Sequence, residues 1–422
     1  MHNYGRNVRF TPRRRVLPRT VEELARVVRE SRRVRAVGAA HSWSPAIVTD
    51  DTLVSLDRMN RVVTLDRDAM QVTVQAGMRL HELNAYLDAH DLALANLGSI
   101  VSQSVAGVIA TGTHGTGRNF RCLSTQVARL QLVDGTGHDV TLERGQPDFA
   151  GAVVALGALG IVHAVTYDVV PAFRLHDVTG IAPLDDLIEH FDEHVASADH
   201  VKLWWFAPSE QAVLFRYDRT DAVSNDNRMR RWFKERVIAV AAYRSLLVAG
   251  RLSRRRWIPA INRYLTREAG RALDRIAPSH VAFLTPIPPI HRESEWAFDL
   301  ANARHLLREY RRLLPEGGHS YSFLQEIRIT KGDDLWLSPA YQRDSVWLSL
   351  YNIDPASWDA QLAKFEAFAR AHGGRPHWGK EATFDGAYLR SQYARLGEFA
   401  ALAARFDPER KFRNPWLDQI LG

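Results

Sequence analysis

Val37-Gly-Ala-Ala-His-Ser-Trp-Ser-Pro45 is the stretch on which the fold turns. A short strand pattern, Val34 to Gly38, runs into a bend of small residues that presents a histidine and hydroxyls. Small residues let backbone N–H groups approach an anionic group closely. His41 could there bond a ligand, act as a base, or be alkylated by an electrophilic cofactor. Taken alone, it would be an ordinary turn histidine. A second stretch, Ser99-Ile-Val-Ser-Gln-Ser-Val-Ala-Gly-Val-Ile-Ala-Thr-Gly-Thr-His-Gly-Thr-Gly117, is also rich in small residues and hydroxyls and almost free of charge. Such a segment suits a buried phosphate-bearing cofactor, because no carboxylate competes for the backbone and Ser/Thr donors. Its last glycines, Gly112, Gly115 and Gly117, do not follow the G-x-G-x-x-G spacing, and no P-loop GK[ST] follows.

Outward from these two stretches, the first part of the chain, up to about Phe173, alternates β and helical patterns. Thr20-Val-Glu-Glu23 reads as a capping box before a helix over Val21 to Ser31. Val62 to Asp66 and Gln71 to Gln75 read as strands, Leu80, Leu83 and Leu87 as one helix face, and Val127 to Leu142 as a hairpin. Phe149 to Leu156 reads as helix and Ile161 to Val169 as strand. The middle, 174–375, holds Trp-rich strand patterns at Val201–Phe206 and Val346–Tyr351 and a basic helical block from Arg228 to Arg275. The segment 376–422 returns to helix and turn. The pattern predicts an α+β protein. Residues 1–173 form a cofactor domain, 174–375 a substrate (cap) domain, and 376–422 folds back onto the first.

The bulk properties agree with this. The chain has 422 residues, 46% hydrophobic and 24% charged, which suits a globular protein with room for two domains. A single cysteine, Cys122, excludes an internal disulfide framework and a Cys-rich zinc site, and it reads as a packed side chain. No H-E-x-x-H occurs and the histidines show no ligand spacing, so no metal is expected. The net charge of +7 comes with only six lysines among 55 basic residues. The arginines are scattered, which favours a solvated surface, and no module for nucleic-acid reading is present. Val237 to Gly250 is interrupted by Arg244 and too short to span a bilayer. The N-terminus lacks a secretory apolar core, so the cytoplasm is the expected compartment. The block 228–257 could form basic amphipathic helices at a lipid surface; solvated helices are the plainer alternative.

Several segments together resemble the vanillyl-alcohol oxidase family, within its aldonolactone oxidase and alditol oxidase branch. They are VGAAHSWSP, VTVQAGMRLHELNAYLDAHDLALANLGSI, SVAGVIATGTHGTG, LGALGIV, Glu326-Ile-Arg328, His377-Trp-Gly-Lys380 and Phe406–Asn414. They follow the family's order over nearly the whole chain, most weakly over 220–300. The resemblance implies a two-subdomain FAD-binding domain of the vanillyl-alcohol oxidase type and a cap domain with an antiparallel sheet flanked by helices. It implies FAD joined covalently to His41. The pyrophosphate would lie along Gly38, Ala39, Ala40 and Ser42 and along Ser104, Gly107, Thr111, Gly112 and Gly115. Ile161 would approach the adenine side, His377 the isoalloxazine, and His114 would position the flavin loop. The family often has glycine at the position of Ala40.

The resemblance also implies the chemistry. A sugar-derived alcohol, an aldono-1,4-lactone or an alditol, would give hydride to flavin N5, and dioxygen would return as hydrogen peroxide. Arg328 and Lys380 would favour the alkoxide-like oxygen. Lys380 could also take the proton if burial beside Arg328 lowered its pKa. Glu326 would orient a hydroxyl, since residues two apart on a strand share a face. Ser99 would contact substrate and Ser349 could add a hydroxyl; Trp204, Trp205, Trp347 and Tyr351 could shape the pocket. Gly98 would leave room for dioxygen. Two alternatives stay open: a dehydrogenase passing electrons to a quinone, cytochrome or dye, and a flavin-holding or basic surface-binding protein without turnover. Glu326 and Arg328 alone could be a plain same-face ion pair.

Overall fold

A computed structural model describes residues 1–227, 256–285, 290–314, 324–353 and 355–422, with single positions 229, 245, 248 and 252. Three sheets organise it. Arg14–Val16, Thr52–Ser55 and Val34–Val37 form a small parallel sheet. Beside it lies an antiparallel sheet in the order Val62–Asp66, Gln71–Gln75, Ile161–Asp168, Val127–Val133, Asp139–Glu143. The largest sheet has eight strands, in the order Leu273–Pro278, Arg174–Pro183, Gln211–Thr220, His200–Trp205, Gln325–Thr330, Ser345–Asn352, Arg292–Asp299, Arg375–Pro376, and its pairs are antiparallel. The α+β class follows from this mixture of sheets and helices.

Period-two alternation gives the large sheet two different faces. Leu203, Trp205, Leu214, Trp296, Phe298, Ile327, Ile329, Val346, Leu348 and Leu350 share one apolar cluster with residues of the helices Leu184–Glu189, Phe191–Ala196, Ala303–Leu313 and Pro355–Ala371. The alternate residues include polar groups that are equally buried: Lys202, Glu293, Glu295, Glu326, Arg328 and Ser349 are all under one-tenth exposed. Burying such groups is costly unless each finds a partner, so a buried polar sheet face marks a place held for function. The helices Gly386–Gln392, Leu396–Phe406 and Pro415–Leu421 place Leu389, Phe399, Leu402, Trp416 and Ile420 in one apolar cluster with Val105, Val108, Ile109 and Leu159.

Three local expectations change. The Thr20 hydroxyl does accept from the Glu23 N–H, but Glu23 reaches back to the Arg19 N–H rather than to Thr20. The helix begun at Phe149 stops at Ala152. Leu156 has φ 56°, and its N–H donates to the Ala110 carbonyl. The backbone there is diverted to meet Arg35. The basic block does not stay helical to Arg275: the helix Ile258–Ala269 ends at Gly270, and Leu273–Pro278 is a strand. Arg275 there pairs with buried Asp177 at 2.7 Å. The helices expected between Arg228 and Arg255 lie, apart from the single positions, outside the described residues.

Candidate active site

Two adjoining cavities carry the site. The first is a groove lined by Gly38, Ala39, Ala40, His41 and Ser42, by Ser104, Gly107 and Thr111, and by Ile161. A Cβ on Gly38 would stand 2.0 Å from the Ser104 hydroxyl, so only glycine lets the two segments meet. Ala40 takes φ 52°, a left-handed conformation that costs an L-residue about 1–2 kcal/mol. Arg35 knits the groove. Its guanidinium donates to the carbonyls of Ala46, Leu156, Gly157 and Phe412, at 2.7–2.9 Å. Burial pushes that guanidinium down to about 10. Gly112 and Gly115 line neither cavity. Gly112 serves a left-handed bend, and a side chain on Gly115 would strike Asn96 and the Leu97 carbonyl.

The second cavity shares His41, Ser42, Gln103 and Thr111 with the groove and extends to Gly98, Ser99, His114, Glu326, Arg328, His377 and Lys380. His41 therefore stands where the two spaces meet. Its Nε2 is buried with no hydrogen-bond partner among the described residues, and burial pushes the imidazole down to about 4. Arg328 Nη2 donates to Glu326 Oε1 at 2.9 Å and to Ser99 Oγ at 2.6 Å, while its Nε is buried without an acceptor among the described residues. Trp204 Nε1 donates to Glu326 Oε1 and the Tyr351 hydroxyl to Oε2. Burial opposes ionisation of Glu326, but Arg328 and Lys202 outweigh it and hold the carboxyl at about 2.

Lys380 departs from expectation. Its ammonium pairs with Glu293 Oε2 at 2.5 Å and lies over the Trp43 ring, rather than resting on Arg328. The turn that carries it explains this. Trp43 N–H donates to the Gly379 carbonyl and Glu381 N–H to the Glu293 carbonyl, which docks Lys380 against the strand Arg292–Asp299. His114 faces Glu295 at 3.4 Å, stacks on Trp347 at 3.6 Å, and bonds the Gly115 carbonyl through Nδ1. Burial would raise the Glu295 carboxyl; the nearby His114, Lys380 and His377 instead hold it well below the usual range. His377 Nδ1 accepts from the Gly379 N–H, and burial pushes that ring down to about 3.

Each buried carboxylate at this cavity thus has its own nitrogen partner: Glu326 has Arg328, Glu293 has Lys380, and Glu295 faces His114. Ser349 is not in the cavity wall; its hydroxyl donates to Glu295 at 3.0 Å. Trp205 turns to the apolar face and bonds the Ser209 carbonyl. Cys122 is buried beside Ser338, its thiol pushed well up by burial. His114, Glu295 and His377 bring three donor atoms within 4.8 Å of one another, a grouping of the kind that can hold a metal ion. The expectation of no metal rested on spacing along the chain, which says nothing about three distant segments. Sequence reasoning missed Glu293, Glu295, His291, Gln103 and Lys202. The run Arg292-Glu-Ser-Glu-Trp296 was the available signal, since it repeats the same-face spacing of Glu326 and Arg328.

Residues 12–143 match the family described as FAD binding domain, and residues 165–420 match that described as D-arabinono-1,4-lactone oxidase. The chain belongs to the aldonolactone oxidase branch of the vanillyl-alcohol oxidase family. This family member is 33% identical to alditol oxidase from Streptomyces sp., over 99% of this chain and 98% of that protein. It is 31% identical to L-gulono-1,4-lactone dehydrogenase of Mycobacterium tuberculosis, over 96% and 95%. It is 30% identical to mouse L-gulonolactone oxidase, over 99% and 97%. Cholesterol oxidase from Brevibacterium sterolicum shares its fold, with TM-score 0.85, 18% identity, and coverage of 100% of this chain and 96% of that one. Chitooligosaccharide oxidase does so at TM-score 0.73 and 15% identity, over 98% and 93%. This aldonolactone oxidase family member is an FAD-dependent oxidoreductase acting on alcohol or lactone substrates. The residues present fit FAD: a glycine cradle that a Cβ would fill, and an orphaned imidazole nitrogen at the mouth of the substrate cavity.

Proposed function

We propose that the protein oxidises a secondary or primary carbinol of an aldono-1,4-lactone, such as gulono- or arabinono-lactone, or of an alditol, with dioxygen as acceptor and hydrogen peroxide as product. One observation carries the reading. The unaccepted Nε of Arg328, the Ser99 hydroxyl and the Lys380 ammonium line one cavity that opens onto a cofactor groove at His41. FAD, when bound and joined to His41, supplies the two-electron acceptor. Gly38 to Ser42 and Ser104 to Thr111 would hold it.

The chain's own groups then divide the work. Ser99 Oγ already accepts from Arg328, so its O–H is oriented to donate to a substrate oxygen. Arg328 and Lys380 present fixed positive charge to the oxygen that loses its proton. Lys380 Nζ and Glu293 Oε2 act as a unit: the ammonium passes a proton to the carboxylate as it receives the substrate's, and so keeps its charge. Glu326, with both oxygens bonded by Trp204, Arg328 and Tyr351, stiffens the cation rather than serving as base. A lactone and polyol screen, read once as peroxide and once as dye reduction without oxygen, tests this. Turnover of no lactone or alditol in either assay defeats the reading. The dehydrogenase name of the mycobacterial relative favours a second reading, and dye reduction without peroxide would select it.

The expected setting is the cytoplasm, with contact at an anionic membrane surface through 228–257. Trp257 is exposed beside this arginine-rich stretch, and no described helix is long and apolar enough to cross a membrane. Sedimentation with vesicles containing anionic phospholipid, abolished by high salt, is the expected result.

A further inference from the structure

The first ten residues carry no motif, yet they close over the cofactor-attachment turn. The bridge between His2 and Arg9 and the bond from Asn3 N–H to the Val8 carbonyl fold them into a small loop. That loop bonds the turn at three carbonyls: Tyr4 N–H to Ala40 at 2.8 Å, Asn3 Nδ2 to Ser42 at 2.9 Å, and Asn7 Nδ2 to Trp43 at 2.9 Å. Asn3 is 1% exposed, and its Oδ1 also accepts from the Val8 N–H. At Gly5 a Cβ would stand 2.5 Å from the Trp43 ring, so the loop can lie this close only without a side chain there. The result is a strap whose one ring, Tyr4, stacks on the His41 imidazole with centroids 4.3 Å apart and planes at 28°. Trp43 meets the edges of both rings.

An imidazole that must attack a fixed carbon needs its plane set as well as its charge removed. Burial of His41 removes the charge, and among the described residues no hydrogen bond to its Nε2 sets the plane. The stacked phenol is the contact that does. We propose that Tyr4, presented by the strap of residues 3–7, is a positioning residue for covalent attachment of FAD to His41. The inference rests on the reading of His41 as the attachment point. In the attachment, one C–H of the flavin 8-methyl group and the imidazole N–H are replaced by a C–N bond. The two electrons and two protons released reduce the flavin itself and leave with dioxygen as hydrogen peroxide.

The test follows attachment rather than turnover. Chain prepared without flavin is incubated with FAD, and colour retained after acid precipitation is measured against time, beside total FAD bound before acid. Wild type is expected to retain its colour; Tyr4→Leu is expected to bind FAD but attach it about ten-fold more slowly, and Tyr4→Phe to restore the rate. Asn3→Ala, which keeps the Tyr4 side chain but unties the strap that holds it against His41, is expected to slow attachment in the same direction. Wild-type protein that releases all its flavin defeats the His41 reading, and this inference with it. Wild-type protein that keeps its flavin while Tyr4→Leu or Asn3→Ala attach at the same rate defeats this inference alone. A Tyr4→Phe variant as slow as Tyr4→Leu overturns the stacking role.

Discussion

At the residue scale, His41 and Lys380 separate two functions that lie within one cavity wall. His41→Ala is expected to bind FAD that passes entirely into the supernatant on acid precipitation. Lys380→Ala should keep its colour in the pellet and lose turnover by at least about a hundred-fold, as expected when a buried charge at the reacting oxygen is removed. It also leaves Glu293 buried without its cation. Ala40 invites the opposite kind of change. Its φ of 52° is a conformation glycine adopts freely, so Ala40→Gly should raise unfolding stability by about 1 kcal/mol in a denaturant titration. Gly98 lines the substrate cavity with its Cβ direction 3.3 Å from the His114 carbonyl. Gly98→Ala is expected to cut peroxide formation more than dye reduction, seen as a fall in their ratio.

At the element scale, the strand Gln325–Thr330 shows what could be read from sequence. Glu326 and Arg328 two apart give a shared face from periodicity alone, and the structure joins them at 2.9 Å. The partner of Lys380 could not be read that way. It depends on a turn at Gly379 docking beside Glu293, a contact between segments almost ninety residues apart that no local pattern encodes. The same limit applies to Asn3, Tyr4 and Asn7, whose bonds run to carbonyls rather than to side chains with a recognisable signature. The helix over Val21–Glu30 was legible because its cap is local. Its Thr20→Ala variant is expected to lose about 1 kcal/mol. The helix from Phe149 failed because a long-range partner takes up its continuation: the Leu156 N–H donates to the Ala110 carbonyl instead of to the carbonyl four residues back.

At the scale of the whole molecule, the buried imidazoles give stability a direction with pH. His41 and His200 are pushed down to about 4 and His377 to about 3, from 6.5, by burial. The unfolded chain therefore binds protons at these sites between pH 6.5 and 4 that the folded chain refuses. Their contribution is complete above 6.5 and is lost as pH falls, each ring giving up about 1.4 kcal/mol for every pH unit crossed on the way down to its folded value. Asp333, raised to about 6 by burial, opposes them below that pH, and Asp177, Glu381 and Asp407, also raised by burial, oppose them closer to the ordinary carboxylate range. Thermal midpoints of the flavin-free protein measured from pH 7 to 4.5 should fall; a flat profile would contradict these assignments.

Arg35 ties the beginning of the chain to Phe412 near its other end, and Phe412 also walls the groove. The cradle is thus unfinished while residue 412 is still inside the ribosome. A chain cut short before Phe412 lacks that wall, and is expected to come out pale.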